Sequence, residues 1–146
     1  QNIKRLSKHT KDIDQYLVEI HHNEGLAPGI QEIDGGVTIH HACHARAQNM
    51  GNKARDMLKL IPNIKMDLVE RCAGHGGTFG VMKETHDIAI KVGKNTANIT
   101  KRKNNKYMAS DCPLAGKHIK QLAEDTKITN NEALHPIELI AKSYRL

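Results

Sequence analysis

The chain has 146 residues, a length that fits a single domain. Its formal net charge is +6, from 22 Lys and Arg against 16 Asp and Glu, and a basic balance suggests an anionic partner. No apolar run approaches the ~20 residues that a membrane-spanning helix requires, and no signal-peptide core is visible. The first residue is Gln1 rather than Met, so we expect the chain to be a piece of a longer protein.

The number and spacing of the cysteines limit their chemistry. Three cysteines, Cys43, Cys72 and Cys112, are an odd number in a chain without secretory features. A disulfide framework is therefore not expected, and a reducing compartment fits better. No C-x-x-C pair occurs, which argues against a zinc finger.

The first predicted elements are helical. Apolar residues recur at helical spacing between residues 2 and 24. Thr10, followed by Asp12 and Asp14, favours the start of a second helical segment within this stretch. The glycines and proline of residues 25–29 end it. We therefore predict an N-terminal helical segment and linker at residues 1–35.

From residue 37 onward one unit recurs three times: a short β-prone segment, a cysteine and a helix. The β-prone segments cover residues 37–40, 64–69 and 107–109. Such alternation is typical of a parallel sheet covered by helices. We predict an α/β domain at residues 36–146, a short parallel sheet of three to four strands with helices on both faces, preceded by the N-terminal helix. A mostly helical bundle would leave the first two β-prone segments unexplained.

Helical periodicity fills the intervals between these strands. The first crossover helix carries Ala54, Met57, Leu58 and Ile61 on one face. The second covers residues 81–102, and a shorter helix covers residues 114–124. A very short fourth strand is predicted at residues 132–134, followed by a last helix with Pro136 in its first turn.

The positive charges cluster in one run only. Lys101, Arg102 and Lys103 are consecutive, with Lys106 close behind. No aromatic residues interleave this run, so it offers no platform on which bases could stack. We predict that it ends a crossover helix in solvent and binds no nucleic acid.

The three cysteines occupy equivalent places in the repeated unit. Each lies two or three residues past a predicted strand, just before a helix. Parallel strands deliver their carboxyl ends to the same edge of a sheet, where open α/β sheets bind ligands. The sequence therefore predicts that Cys43, Cys72 and Cys112 converge on one redox or metal site.

Histidines accompany the cysteines. His40, His41 and His44 surround Cys43, and His75 follows Cys72. Imidazole is a common metal ligand and proton carrier. We single out His44 and His75 as candidates for a further ligand or a proton donor. The remaining histidines are typical of helix surfaces: His9, His21, His22, His86 and His118.

A phosphate site is the alternative at the same loops. Residues 74–77 and 113–116 are rich in glycine or begin a helix, and backbone amides there favour anions. No Walker lysine follows the glycines, and no G-x-G-x-x-G motif is present. This interpretation is the weaker one.

Four motifs together resemble a known family. They are residues 41–44 (HACH), 71–80 (RCAGHGGTFG), 111–115 (DCPLA) and 135–139 (HPIEL). In this order they resemble the cysteine-rich (CCG) domain of heterodisulfide-reductase-type iron–sulfur oxidoreductases, in particular the C subunit of anaerobic glycerol-3-phosphate dehydrogenase. The resemblance covers roughly residues 36–144.

The resemblance implies a ligand set for an iron–sulfur cluster. Cys43, Cys72 and Cys112 match the first cysteine of each family motif, whereas Ala73 and Ala115 stand where two further cysteines are expected. A cubane [4Fe-4S] cluster ordinarily takes four thiolates. The resemblance thus implies a site-differentiated cluster whose remaining position is open to His44, His75, Asp111, water or a neighbouring chain.

The resemblance also implies a function. It implies an electron-transfer domain, part of an oxidoreductase subunit rather than a complete enzyme, that passes electrons from a flavoprotein partner to a quinone or a thiol/disulfide acceptor. The implied location is the cytoplasm, with peripheral attachment to the inner face of the membrane through partner subunits as one option. Two alternatives stay open: a cluster-free structural domain of the same complex, and a Cys3His zinc site.

Overall fold

A parallel sheet of four short strands organises the chain. The computed structural model describes residues 1–124 and 133–146. Within them the strands are β1 (Val37–His40), β2 (Met66–Val69), β3 (Tyr107–Ser110) and β4 (Ala133–Leu134). Their order is β2-β1-β3-β4, and each neighbouring pair is parallel. The predicted α/β class and parallel sheet are confirmed.

Helices lie between the strands and at both ends of the chain. They are α1 (Asn2–His9), α2 (Ile13–Asn23), α3 (Cys43–Ala47), α4 (Lys53–Leu58), α5 (His86–Lys103), α6 (Pro113–Glu124) and α7 (Pro136–Ser143), with a 3-10 turn at Gly77–Gly80. None of the helices in the described part of the chain is long and apolar enough to cross a membrane.

Local capping explains where several of these helices begin. The Asp12 carboxylate accepts hydrogen bonds from the backbone N–H groups of Asp14 and Gln15, so the helical stretch 2–24 is divided and α2 starts at Ile13. At α7, His135 and Glu138 form a capping box, and Pro136 is in the first turn as predicted.

Two apolar clusters cover the two faces of the sheet. On one face Val37 and Ile39 of β1 pack with residues of α4 and α7, and Leu17 of α2 lies against this cluster. On the other face Met108 of β3 packs with residues of α5 and α6, among them Ile119. Successive side chains of a strand point to opposite faces, and each fully buried aliphatic side chain contributes roughly 1.5–3 kcal/mol.

Some predicted boundaries differ from the structure. β2 begins at Met66 rather than at residue 64, and α5 begins at His86 rather than at residue 81, because residues 81–85 form turns and a bend after the 3-10 turn. The fourth strand is present at Ala133–Leu134, whereas Glu132 lies outside the described residues. The basic run forms the last turn of α5, and Lys103 pairs with Asp67 at 2.9 Å.

Candidate functional site

The strand order creates a topological switch point between β1 and β3. From β1 the chain crosses to β2 on one side, whereas β3 lies on the other side and is followed by β4 further out. Open α/β sheets bind ligands in the crevice beyond the carboxyl ends of such strands. Cys43 follows β1 and Cys112 follows β3, so these two cysteines flank the crevice.

All three cysteines line one cavity of about 230 Å³ at this edge. Cys72 reaches it from the loop after β2. Cys43 and Cys72 are exposed, Cys112 is half-buried, and each carries a free thiol. The other lining residues are His40, Ala42, His44, Ala73, Gly74, His75, Gly76, Gly77 and Ala115. The structure thus brings together the cysteines, both candidate histidines and the two alanines that the sequence resemblance aligns with family cysteines.

Within the described residues, two of the three sulfurs accept a hydrogen bond from the protein. The Arg46 guanidinium donates to Sγ of Cys43, with 3.3 Å between Nη2 and the sulfur. The backbone N–H of Gly74 donates to Sγ of Cys72 over 3.4 Å. A cationic donor and an amide donor therefore already face sulfurs at the rim of the cavity.

His40 connects the ends of three strands. Its Nε2–H donates to the carbonyl oxygen of Arg71, 3.0 Å away in the loop after β2. In the neutral ring Nδ1 is then an acceptor, and it accepts from the Ser110 hydroxyl over 3.0 Å. Ser110 Oγ accepts in turn from the backbone N–H of Cys112. Burial lowers the pKa of His40, which favours this neutral ring.

The loop that carries Cys72 lies against the backbone of α5. Gly74 has φ +80°, and a Cβ there would overlap the carbonyl oxygen of Ala89. From the helix side, a Cβ on Gly93 would come within 2.5 Å of the carbonyl oxygen of Ala73. The Thr96 hydroxyl donates to the carbonyl oxygen of Cys72 over 2.6 Å. This close approach holds Cys72 at the cavity.

The histidines predicted near the cysteines have different surroundings. His44 and His75 both line the cavity, but His44 is exposed whereas His75 is only 9 % exposed. His41 is buried, and its Nδ1 lies 3.2 Å from the Glu70 carboxylate. Two of the histidines near the cysteines, His40 and His75, are therefore both buried and part of the cavity wall.

The prediction that His118 lies on a helix surface is wrong. His118 is 6 % exposed, and its ring packs edge-on against His75 with 5.8 Å between the ring centroids. A Cβ on Gly93 would lie 3.1 Å from Nε2 of His118, so the glycine makes room for the ring between α5 and α6. Periodicity along α6 alone does not reveal this contact, because it depends on a glycine in another helix.

Asp111 faces away from the cysteine cavity. Its carboxyl lies against that of Asp14 on α2, and Oδ1 of each residue is buried without a donor from the described residues. Burial first, and then the charge of Asp111, raise the pKa of Asp14 to about 8. A proton on Asp14 supplies the donor that this pair needs. The structure therefore gives Asp111 a partner in α2 and does not place it among the residues that line the cavity.

The three thiols surround one cavity in the described residues but do not gather around a single point. Within residues 1–124 and 133–146, no three His, Cys, Asp or Glu side chains are close enough to hold one metal ion. The three thiols are instead distributed around a cavity of about 230 Å³. Thiolates are the usual ligands of iron–sulfur clusters, so the residues present fit three of the ligands that a cluster takes.

Comparison with known proteins gives two kinds of match. The profile of the cysteine-rich domain family, CCG, matches residues 37–120. Over 92% of its length the chain is 30% identical to a subunit of the fumarate reductase (CoM/CoB) of Methanothermobacter marburgensis, and over 75% it is 32% identical to an uncharacterised iron-sulfur protein of Methanococcus maripaludis. The matched parts cover 29% and 22% of those two proteins. No solved structure shows a significant match to this chain.

Proposed function

Because the chain belongs to the family of cysteine-rich CCG domains, we propose that it is an iron–sulfur-binding electron-transfer domain of an oxidoreductase subunit. Cys43, Cys72 and Cys112 are the proposed ligands. One observation carries the proposal: three cysteines far apart in the sequence line a single cavity at the switch point of the sheet. The relative that is named an iron-sulfur protein supports the choice of cofactor.

The residues around the cavity have defined tasks in this proposal. A bound cluster supplies one-electron redox chemistry, and hydrogen bonds to its sulfurs tune the potential. Arg46 and the Gly74 amide already donate to Cys43 and Cys72, so they place positive charge and a dipole next to two ligands. His40 and Ser110 hold the backbone on both sides of the crevice.

The fourth ligand position is open in this chain. Ala73 and Ala115 line the cavity, so the family cysteines that they replace would also face it. Among the side chains present, His75 is our first candidate for this position, because it is buried and lines the cavity, and His44 is the second. We propose a [4Fe-4S] cluster with three thiolates and one differentiated iron.

Replacement of each histidine separates a ligand from a hydrogen-bond donor. In the anaerobically reconstituted chain, His75→Ala should change the electron paramagnetic resonance spectrum if His75 is a ligand, and mainly the potential if it only donates. His44→Ala is the matched variant, since it removes the exposed histidine of the same cavity. Unchanged spectra and potentials in both variants would assign the position to water or another chain.

The proposed partners take account of the length of the two relatives, which are much longer than this chain. The chain spans less than a third of each of these two curated relatives, one of which is named as a subunit. We propose that the domain works within a larger subunit and a complex, with a flavoprotein as electron donor and a quinone or thiol/disulfide acceptor. The proposed location is the cytoplasm, with attachment to the membrane through those partners.

A cluster-free interaction domain is the second candidate function. Ala73 and Ala115 favour it, because they remove two of the thiolates that the family pattern supplies. A mononuclear Cys3His zinc site has less support, since no three such side chains in the described residues are close enough to share one ion.

Anaerobic reconstitution tests the proposal directly. Iron and sulfide are added to the reduced chain, excess reagent is removed, and bound iron and sulfide are quantified together with the visible spectrum. We expect a brown chain with both elements bound, and a colourless chain after Cys72→Ser, with far-ultraviolet circular dichroism showing that the variant is folded. A wild-type chain that binds no iron would replace this proposal with the interaction domain.

A further inference from the structure

A second and larger cavity adjoins the cysteine cavity. Its volume is about 690 Å³, within the roughly 300–1,000 Å³ that is common for small-molecule sites. It lies between the segment that precedes α5, the first turn of α5 and one side of α6. His75 lines both cavities, so the two cavities share one buried imidazole in their walls.

The charged residues of this second cavity are mainly cationic. Lys83 and Lys117 line it from different segments, and both are exposed. In the part of the chain that the structure describes, neither lysine belongs to an ion pair. Among the described residues, Asp87 is the single carboxylate of the lining. Two ammonium groups against one carboxylate leave the cavity with a net positive charge that favours an anionic ligand.

Histidines form the inner part of the wall. His86 donates from Nδ1 to the carbonyl oxygen of Gly80 over 2.7 Å, which leaves its Nε2 for another partner. His118 lines the same cavity and is 6 % exposed. Its Nε2 is buried and has no hydrogen-bond partner among the described residues. These imidazoles add polar contacts, and the lysines supply positive charge.

The rim of the cavity provides apolar surface as well. Val81 and Leu114 line it and are more than half exposed. Exposed aliphatic side chains next to unpaired ammonium groups suit a molecule with a carbon skeleton and an anionic group, because a simple inorganic ion would use only the charges.

We propose that the second cavity binds a small organic anion, a carboxylate or a phosphate ester. Lys83 and Lys117 hold the anionic group, Val81 and Leu114 contact the carbon skeleton, and the far end of the molecule reaches the wall formed by His75. Binding of the anion does not rest on the proposed function.

Binding is measured on the cluster-free 146-residue chain, at constant ionic strength set with chloride. Isothermal titration with succinate and with inorganic phosphate separates the two ligand chemistries, because a carboxylate site and a phosphate site differ in which probe binds more tightly. We expect at least one probe to bind and to shift the imidazole resonances of His75 and His118. Lys83→Gln and Lys117→Gln together should weaken that binding about tenfold or more, the loss typical of a charge-assisted hydrogen bond.

Lys94→Gln is the matched control, because Lys94 is exposed on α5 and is not part of the lining. We expect it to leave the affinity unchanged. An equal loss in the control, no binding of either probe, or binding that survives replacement of both lysines would each overturn the proposal. Since the chain is free of cluster in this experiment, such a result leaves the proposed iron–sulfur function untouched.

Discussion

His40 and Ser110 are partners in the register of the two central strands, and Nδ1 of His40 lies 3.0 Å from Oγ of Ser110. This buried pair sits at the carboxyl ends of β1 and β3, where the switch point of the sheet lies. The second nitrogen of His40 reaches the Arg71 carbonyl in the loop after β2. The three segments that deliver the cysteines are therefore joined through one neutral imidazole.

The first prediction concerns this imidazole. The His40→Ala variant removes the hydrogen-bond partner of the buried Ser110 hydroxyl and of the Arg71 carbonyl. Each group left without a partner costs roughly 1–3 kcal/mol. We expect a loss of at least about 2 kcal/mol in the free energy of unfolding, measured by urea titration of the cluster-free chain. His44→Ala, in which the lost ring is exposed, should cost far less. Equal losses in both variants would contradict the role of the buried network.

A second prediction compares two glycines of the same loop. Gly74 and Gly77 both have positive φ, which costs other residues roughly 1–2 kcal/mol. A Cβ on Gly77 would meet nothing within 4 Å, whereas one on Gly74 would overlap the Ala89 carbonyl of α5. Gly77→Ala should therefore lower the free energy of unfolding only by this conformational cost of roughly 1–2 kcal/mol.

Gly74→Ala should add the cost of overpacking, for a total of about 3 kcal/mol or more in the free energy of unfolding. The reconstituted Gly74→Ala chain should also bind less iron, since the loop that carries Cys72 has to move away from α5. If the two alanine variants had the same stability, the contact between this loop and α5 would not be important for the fold.

Comparison with the sequence shows which features a pattern can predict. Each cysteine follows a β-prone segment, and parallel strands share one carboxyl edge, so a common edge for Cys43, Cys72 and Cys112 could be predicted without strand order. The bridge that His40 forms between Ser110 and Arg71 could not be predicted. It depends on β1 lying between β2 and β3 and on the register of His40 with Ser110. Burial of His118 depends on Gly93 in another helix.

A third prediction concerns the pH dependence of stability. The pKa of Asp14 is raised from 3.8 to about 8, chiefly by burial and then by the charge of Asp111. Since the folded-state pKa lies above the unfolded one, the stability that this group contributes is present below about pH 4 and is lost as the pH rises through about 8. Stability should fall over that range in the wild-type chain.

Asp14→Asn should reduce this fall, because an amide does not ionise and can still donate to the Asp111 carboxylate, whose own pKa is also raised by burial. We expect the variant to be more stable than wild type by roughly 1–3 kcal/mol at pH 8 and to differ little near pH 4. Urea titrations at several pH values measure the free energy of unfolding of the variant and of the wild-type chain. Asp34→Asn, on the surface, is the control and should keep the wild-type profile. A wild-type profile in Asp14→Asn would show that the buried carboxyl pair does not hold a proton.

The basic run at the end of α5 gives a fourth prediction. Arg102 and Lys103 are exposed in the last turn, and Lys103 pairs with Asp67. Neutralisation of residues 101–103 should leave the fold and any bound iron unchanged, because none of these residues lines the cysteine cavity. Tight, salt-sensitive binding of DNA or RNA by the wild-type chain would contradict the prediction that this run has no nucleic-acid partner.

The last prediction concerns Ala73 and Ala115. Both line the cysteine cavity and are almost fully buried, at 4 % and 6 % exposure. With three thiolates the proposed cluster has one iron that oxygen and competing ligands can reach, so we expect little iron in wild-type chain purified in air. Ala73→Cys together with Ala115→Cys adds two thiols to the same wall. This variant should retain several-fold more iron under identical conditions, measured as iron and sulfide per chain.

Ala141→Cys is the matched control, because it adds a thiol on α7, away from the residues that line the cavity. If added thiols merely bound iron nonspecifically, this variant would gain iron as well. A gain confined to the cavity variant would mean that the wall of the cavity still has the shape of a cluster site and that the two alanines limit retention of the cluster. If the cavity variant retained no more iron than the control, the cavity would not be a cluster site, and the interaction domain would become the leading function.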